Sequence, residues 1–211
     1  MEKILVLGAG HFGKKAVETF ARHACKIVIV DRDPAALPST AAGNIVPVCA
    51  EGILYLATND LSFFDWIIPA LPVHMAFAWL QAKLEGEEGI LAVPVPPGLH
   101  IPNNYYVADG TVYATLSRQL CPEDCPEPEG ICYLTGEARE LPLYSQLEEL
   151  HVNGFITHVL RSHQLAPGIG GFTPLQLQKL LAQVAGHRLP GLVISSCACH
   201  AVINAFSWFS E

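Results

Sequence analysis

Five cysteines and a histidine are spaced in this sequence as soft metal ligands or exchangeable thiols would be. Cys121, Cys125 and Cys132 fall within the twelve residues CPEDCPEPEGIC, and Cys197-Ala198-Cys199-His200 stands near the far end of the chain. Pro122, Pro126 and Pro128 restrict the first segment, which lowers the entropy lost when several thiols gather on one centre. Cys-Pro steps also occur beside cluster-ligating cysteines. The gaps of three and then six residues match no common zinc-finger pattern. The set Cys121, Cys125, Cys132, Cys197, Cys199 and His200 could hold an iron–sulfur cluster or a tetrahedral zinc. The competing expectation is no metal, with plain thiol packing or a reversible Cys121–Cys125 disulfide. Glu123, Asp124, Glu127 and Glu129 surround the first three cysteines with negative charge, which suits a divalent cation and would lower a cluster's potential. Cys25 and Cys49 are expected to pack in the first domain.

A second chemical feature opens the chain. The apolar run Lys3 to Leu7 leads at once into Gly8-Ala9-Gly10-His11-Phe12-Gly13, and a helical pattern follows. A second β-branched run, KIVIV, ends in Asp31, 18 positions beyond Gly13. This is the strand, glycine turn, helix, strand, acid order of a dinucleotide site. Gly8 allows the tight turn, Gly10 lets a pyrophosphate approach the backbone, and Gly13 lets helix and strand pack closely. The helix N-terminus offers free N–H groups to the phosphates, and His11 and Phe12 would lie over the cofactor. Asp31 would accept from the ribose hydroxyls and repel a 2′-phosphate, which favours NAD(H) over NADP(H), while Arg32 acts in the opposite sense.

These stretches, KILVLGAGHFGKKAVETF and KIVIVDRDPAAL, resemble the NAD-binding domain of the Trk-type potassium-transport regulators, including the Asp31-Arg32-Asp33-Pro34 end of the second strand. The resemblance runs over residues 3–37. It implies a non-enzymatic module in which NAD or NADH shifts an oligomer between states and changes its affinity for a transporter partner. After the third strand, Cys49-Ala50-Glu51-Gly52 replaces the Gly-Asp-Ala element of those regulators. The glycine turn and its Lys14-Lys15-Ala16 continuation are also similar to the NAD-dependent precorrin dehydrogenase of sirohaem synthesis, which implies tetrapyrrole oxidation as a third reading.

The elements that must position these groups follow from pattern. Strands are expected over 44–50 and 65–71, and helices over 51–60 and 74–84. The apolar run 90–102 reads as a fifth strand closing a first domain of residues 1–100, and residues 101–211 form a mixed α/β domain carrying cysteines. Asp109-Gly110 marks a hairpin. A helix is expected over 145–152, a strand over 156–161 and another over 192–194. The helix over 173–185 is capped by Thr173, entered by Pro174 and ended by Gly186. A last helix should start among the late cysteines and end near Trp208. The turn Pro167-Gly168-Ile169-Gly170-Gly171 could hold a second anionic group or complete the cofactor site, and His158, Arg161 and His163 are candidates for anion binding or acid/base work. The fold class is therefore α/β, a doubly wound, Rossmann-like parallel sheet followed by a second mixed domain.

Composition bounds the function. Among 211 residues, 51% are hydrophobic and 15% charged, too apolar for a disordered chain. The net charge of −8, with no basic block longer than Lys14-Lys15, argues against a nucleic-acid backbone binder. The uncharged runs 66–82 and 189–210 contain prolines and polar residues and read as buried units, not as membrane spans. Spare apolar surface points to a homo-oligomer. The opening MEKILVLGAG lacks a signal peptide's basic head, and with seven cysteines expected as thiols the expected compartment is the cytoplasm. The function these features suggest is an NAD(H)-binding oxidoreductase or redox sensor that couples a nicotinamide to a thiol or metal centre. The regulatory module is the alternative.

Overall fold

The computed structural model describes residues 1–23, 26–39, 43–86 and 88–210. The opening run forms β1 (Lys3–Leu7), and α1 (His11–Ala21) follows directly. Next come β2 (Lys26–Asp31), β3 (Ile45–Cys49), α2 (Gly52–Thr58), β4 (Trp66–Pro69) and α3 (Met75–Lys83). The four strands make a parallel sheet in the order β3-β2-β1-β4. Ile4, Leu5, Val6 and Leu7 are fully buried, because a central parallel strand is covered on both faces.

The second sheet is mixed. It contains β5 (Glu88–Val93), β6 (Tyr105–Tyr106), β7 (Val112–Thr115), β8 (Ile156–Arg161), β11 (Gly191–Ser196) and β12 (His200–Ser210). Only β8 runs parallel to its neighbour β11. Between these lie α4 (Leu143–Glu148), the hairpin of β9 (His163–Ala166) and β10 (Ile169–Gly171), and α5 (Pro174–His187). Among the described residues, no helix is long and apolar enough to cross a membrane.

Two expectations fail here for one reason. The stretch expected as a last helix is the eleven-residue strand β12, and the strand expected to close the first sheet is β5, paired antiparallel with the second half of β12. The first half of β12 pairs with β7, and β11 covers its other edge. Ile203 and Ala205 face one core cluster and Phe206 and Trp208 the other. That alternation has the period of a strand, and three partner strands supply the ladder that the short apolar run alone does not reveal. The helix expected over 145–152 starts two residues earlier and ends four earlier, as α4. In α5 the expected cap is present as a reciprocal box, with Gln176 N–H donating to Thr173 Oγ1 at 3.3 Å and Thr173 N–H to Gln176 Oε1 at 2.9 Å. The helix passes Gly186 and ends where Arg188 turns left-handed at φ +50°.

The first hundred residues do not close on themselves. Leu5, Leu7 and Val30 of the parallel sheet share one core with Leu177 and Leu180 of α5 and Val193 and Phe206 of the mixed sheet. Ile67 on β4 exchanges both backbone hydrogen bonds with Phe172, at 2.8 and 2.9 Å, just before α5. His74, which caps α3, joins the sheets with polar groups: Nδ1 lies 2.8 Å from Asn204 Oδ1 and Nε2 lies 2.9 Å from Ser195 Oγ. Asn204 Nδ2 donates to Thr111 Oγ1 at 3.0 Å. Asn204 Oδ1 therefore accepts from the Nδ1–H of a neutral His74, whose Nε2 accepts the Ser195 hydroxyl.

Burial pushes the pKa of His74 down to about 4, against the pull of its Asn204 hydrogen bond. Burial, and then the neighbouring His187, push His158 to about 4 as well. Both are neutral in the folded protein where the unfolded chain would already be protonated, so their stabilising contribution is complete above about pH 6.5 and is lost as pH falls towards 4. The urea midpoint should fall across that window. In His74→Gln the fall should be shallower by up to about 1.4 kcal/mol per pH unit in unfolding free energy, measured by urea titrations at half-unit pH steps.

A thiol-lined cavity beside the glycine turn

The glycine turn adopts the geometry its sequence requires. Gly8 has φ +99°, and a Cβ there would stand 2.4 Å from the Ala70 carbonyl oxygen. A Cβ on Gly13 would meet the Gly8 carbonyl at 1.9 Å, so helix and strand touch through bare backbone. Gly10 differs: nothing lies within 4 Å of its Cβ position, and the turn is open on that side. The first N–H groups of α1 have no intrahelical acceptor, and no side chain caps them. Asp31 at the end of β2 accepts Ala9 N–H at 2.6 Å on one oxygen and Asp33 N–H at 2.8 Å on the other. It locks the β1 and β2 loops together while each oxygen keeps a lone pair. Arg32 follows on the same loop, with its carbonyl oxygen 3.7 Å from Cys49 Sγ.

The cysteine segment lies against α1, far from it in sequence. Glu123 Oε2 is 2.9 Å from His11 Nε2, and Lys15 Nζ donates to the Glu123 carbonyl at 2.6 Å. His11 beside Glu123 holds its carboxyl below the usual range. Gly168 N–H donates to the Cys125 carbonyl at 3.0 Å and Gln164 Nε2 to the same oxygen at 2.7 Å. The Glu127 carboxylate accepts the N–H of Ala198, between Cys197 and Cys199. Three anchors thus carry one loop to α1, to the β9–β10 turn and to the β11–β12 turn.

Beneath them is a cavity of about 590 Å³ whose wall includes Cys121, Cys125, Cys132, Cys197, Cys199 and His200, together with Phe12 of α1. All six sequence-expected ligands therefore meet, although among the described residues no three His, Cys, Asp or Glu side chains converge as ligands of one metal ion. Cys132 is held in a small hairpin: its N–H donates to the Glu137 carbonyl, Gly136 N–H donates to the Cys132 carbonyl, each at 2.8 Å, and Arg139 N–H reaches the Gly130 carbonyl at 2.8 Å. Hydrogen bonds from the Thr135 side chain and then Arg139 pull its thiol down to about 6. Burial, and next the Glu127 carboxylate, push Cys197 up to about 12. Burial pushes Cys199 to about 11, against the pull of Arg139. Without a further cation the cavity holds one readily ionised thiol and two reluctant ones.

Other expectations separate in space. Cys49 is exposed, because β3 is the edge of the parallel sheet; Cys25 lies outside the described residues. His158 stacks on Phe206, Arg161 lies over Tyr144 and His163 packs on Trp66, so these three form no joint site. The turn at Pro167-Gly168 is followed by β10 instead of opening α5 directly; it braces the cysteine loop. Sequence reading missed Arg139, and it read Glu127 as negative charge around the cysteines and missed its role as acceptor of the Ala198 N–H. The Cys132-to-Arg139 hairpin could have been suspected from Gly130 and Gly136, whereas nothing local marks Glu127 as the partner of residue 198.

A mixed α/β chain, with a parallel four-stranded sheet and a mixed sheet packed beside a thiol-lined cavity, is the class that fold and site define. Residues 74–209 match the AF_1314_C family, described as an uncharacterized protein, C-terminal domain, and the chain belongs to this family. An uncharacterized protein of Archaeoglobus fulgidus is 27% identical over 215 residues, covering 95% of this chain and 97% of that protein. No solved structure matches the chain. All six cavity residues fall inside the family match, and the glycine turn lies before it.

Glu127→Ala removes the acceptor of Ala198 N–H and should cost about 1–3 kcal/mol of stability, with faster alkylation of Cys199. Glu129→Ala, at an exposed neighbour, should stay within about 0.5 kcal/mol of the parent. Urea unfolding and mass-resolved alkylation rates read both.

Proposed function

We propose that this chain binds NAD(H) at the turn after β1 and passes electrons between the nicotinamide and the thiol-lined centre. The observation that carries the reading is the shared wall: Phe12, on the first turn of α1, lines the same cavity as the five cysteines. The supporting features are the open approach at Gly10 and the acidic residue at the end of β2. The order β3-β2-β1-β4 also has a crossover between β1 and β4. A ligand in such a sheet sits outside the carboxyl ends of the strands where the order reverses, and His11 and Phe12 stand there. In this reading the first half is a doubly wound, Rossmann-like unit. Pyrophosphate takes the free N–H groups of α1, the ribose hydroxyls donate to the remaining lone pairs of Asp31, and the carboxylate disfavours a 2′-phosphate.

The chemistry balances in either state of the centre. With a disulfide as acceptor, NADH and one proton yield NAD⁺ and two thiols; a one-electron metal centre, when bound, would take one electron per chain, so that one NADH would serve two chains with release of NAD⁺ and one proton. The Glu123 contacts to His11 and Lys15 link nucleotide occupancy to the position of the cysteine loop.

The test is titration of anaerobic protein with NAD⁺, NADH and NADP⁺, followed by tryptophan fluorescence, NADH absorbance and thiol count. NAD(H) should bind more tightly than NADP(H), and NADH should change the redox state of the cysteines. Gly10→Val, which points into open space and leaves the fold intact, should weaken NAD(H) at least about tenfold, equivalent to about 1.4 kcal/mol. Absence of binding by either nicotinamide form sinks the proposal. Binding with no change at the centre replaces electron transfer by the regulatory reading, with a transporter or other partner as the responder.

A further inference from the structure

The cavity's ligand set can be carried further, resting on the thiol half of the reading above and not on nucleotide binding. Thiols reach this space from two directions, Cys121, Cys125 and Cys132 from the anchored loop and Cys199 from the β11–β12 turn. Cys199 lies within electrostatic reach of Cys121, Cys125 and Arg139, and Arg139 within reach of Cys121 and Cys132. Cys197 is engaged within its own turn: its Sγ accepts Cys199 N–H at 3.4 Å and lies 3.9 Å from His200 Nδ1.

Two observations bear on what would fill the space. Among the described residues no three ligating side chains converge on one point, as a single tetrahedral ion with short bonds to each ligand requires. A polynuclear centre takes each thiolate on a different metal atom, so its ligands stand apart around a volume, which is what a cavity of about 590 Å³ walled by thiols provides. Second, the Nε of Arg139 is buried and has no hydrogen-bond partner among the described residues. An unpaired buried donor is destabilising, and more so when it is charged, unless something absent from the polypeptide accepts from it. Inorganic sulfide is such an acceptor, and the net negative charge of an all-thiolate cluster is offset by a guanidinium. The apolar, partly exposed Leu120, Ile131, Tyr133 and Leu134 belong to the same wall.

We propose that Cys121, Cys125, Cys132 and Cys199 ligate a cubane iron–sulfur cluster in this cavity, with Arg139 donating to a cluster sulfide and Cys197 outside the coordination. Assembly of the cluster in its 2+ state takes two ferrous ions, two ferric ions and four sulfides and releases the four thiol protons to solvent, with no net electron transfer. Cluster formation involves none of the glycine-turn residues.

Full-length protein is reconstituted without oxygen using equal amounts of ferrous and ferric iron together with sulfide, desalted, and analysed for bound iron, sulfide and zinc. Visible absorption and electron paramagnetic resonance after reduction report the cluster. About four irons and four sulfides per chain are expected. Cys199→Ser and Cys121→Ser should lose at least half of the iron and the cluster spectrum, with circular dichroism verifying their fold; Cys197→Ser should retain both. Arg139→Gln should keep the cluster and lower its reduction potential, because a positive charge is removed. Stoichiometric zinc in place of iron, iron removed by desalting, or loss in Cys197→Ser with retention in Cys199→Ser overturns the assignment. Nucleotide titration of the same samples separates the two proposals: a cluster without NAD(H) binding overturns the nucleotide reading alone, and NAD(H) binding without a cluster overturns this one alone.

Discussion

The site depends on how three polar groups of one loop are satisfied. The carbonyls of Glu123 and Cys125 and the carboxylate of Glu127 reach Lys15, Gly168 with Gln164, and Ala198. Those partners belong to three parts of the chain, and the loop has little regular structure to stabilise it. A proline-rich loop lacks several backbone donors and can form no ladder of its own, so its acceptors are met from outside. Meeting them places Cys121, Cys125 and Cys132 over the turn that carries Cys197 and Cys199. Gly168 shows how close the fit is. It sits at φ +71°, and a Cβ there would overlap the Glu123 carbonyl at 1.6 Å; only glycine combines that backbone with that approach.

The loop can be anchored this way because the two sheets are one body. Leu5 and Leu7 share a core with Phe206 through α3 and α5, the Ile67–Phe172 pair continues backbone bonding past the edge of β4, and His74 ties α3 to β11 and β12. Two separately folded domains joined by a linker would let the glycine turn and the thiols drift apart. Here the distance between them is fixed by packed side chains.

The negative charge around the cysteines has a different role from the one its composition suggests. Glu123 pairs with His11, and Glu127 holds the late cysteine turn, so two of the four acids act as structural acceptors. Glu127 still acts on Cys197 and Cys199 from that position, and the cation that faces the thiols is Arg139, supplied by a hairpin that starts at Gly130. Its effect divides the thiols: Cys132, with a guanidinium and backbone donors, is held near the range where a thiolate forms at neutral pH, whereas Cys197 and Cys199 pay for burial.

The local order of the first half was legible because it is written in neighbouring residues. Apolar runs ending in glycine turns, an acid after β2 and the Thr173-Pro174 helix start each concern contacts a few positions apart, and each forms as expected. The nature of 200–210 was not legible, since Val202 to Trp208 fits a buried helix or a buried strand, and only pairing with β5, β7 and β11 decides between them. The residue types of the candidate centre were also plain in the sequence, as six cysteine and histidine positions. That they surround one cavity, that Arg139 stands among them and that α1 contributes to the same wall were decided by tertiary contacts. The contacts that anchor the cysteine loop join distant positions, from Cys125 with Gln164 at 39 residues to His11 with Glu123 at 112, and chain neighbours carry no trace of such a pairing: its free energy comes from acceptors and apolar surface that meet only when the sheets have packed.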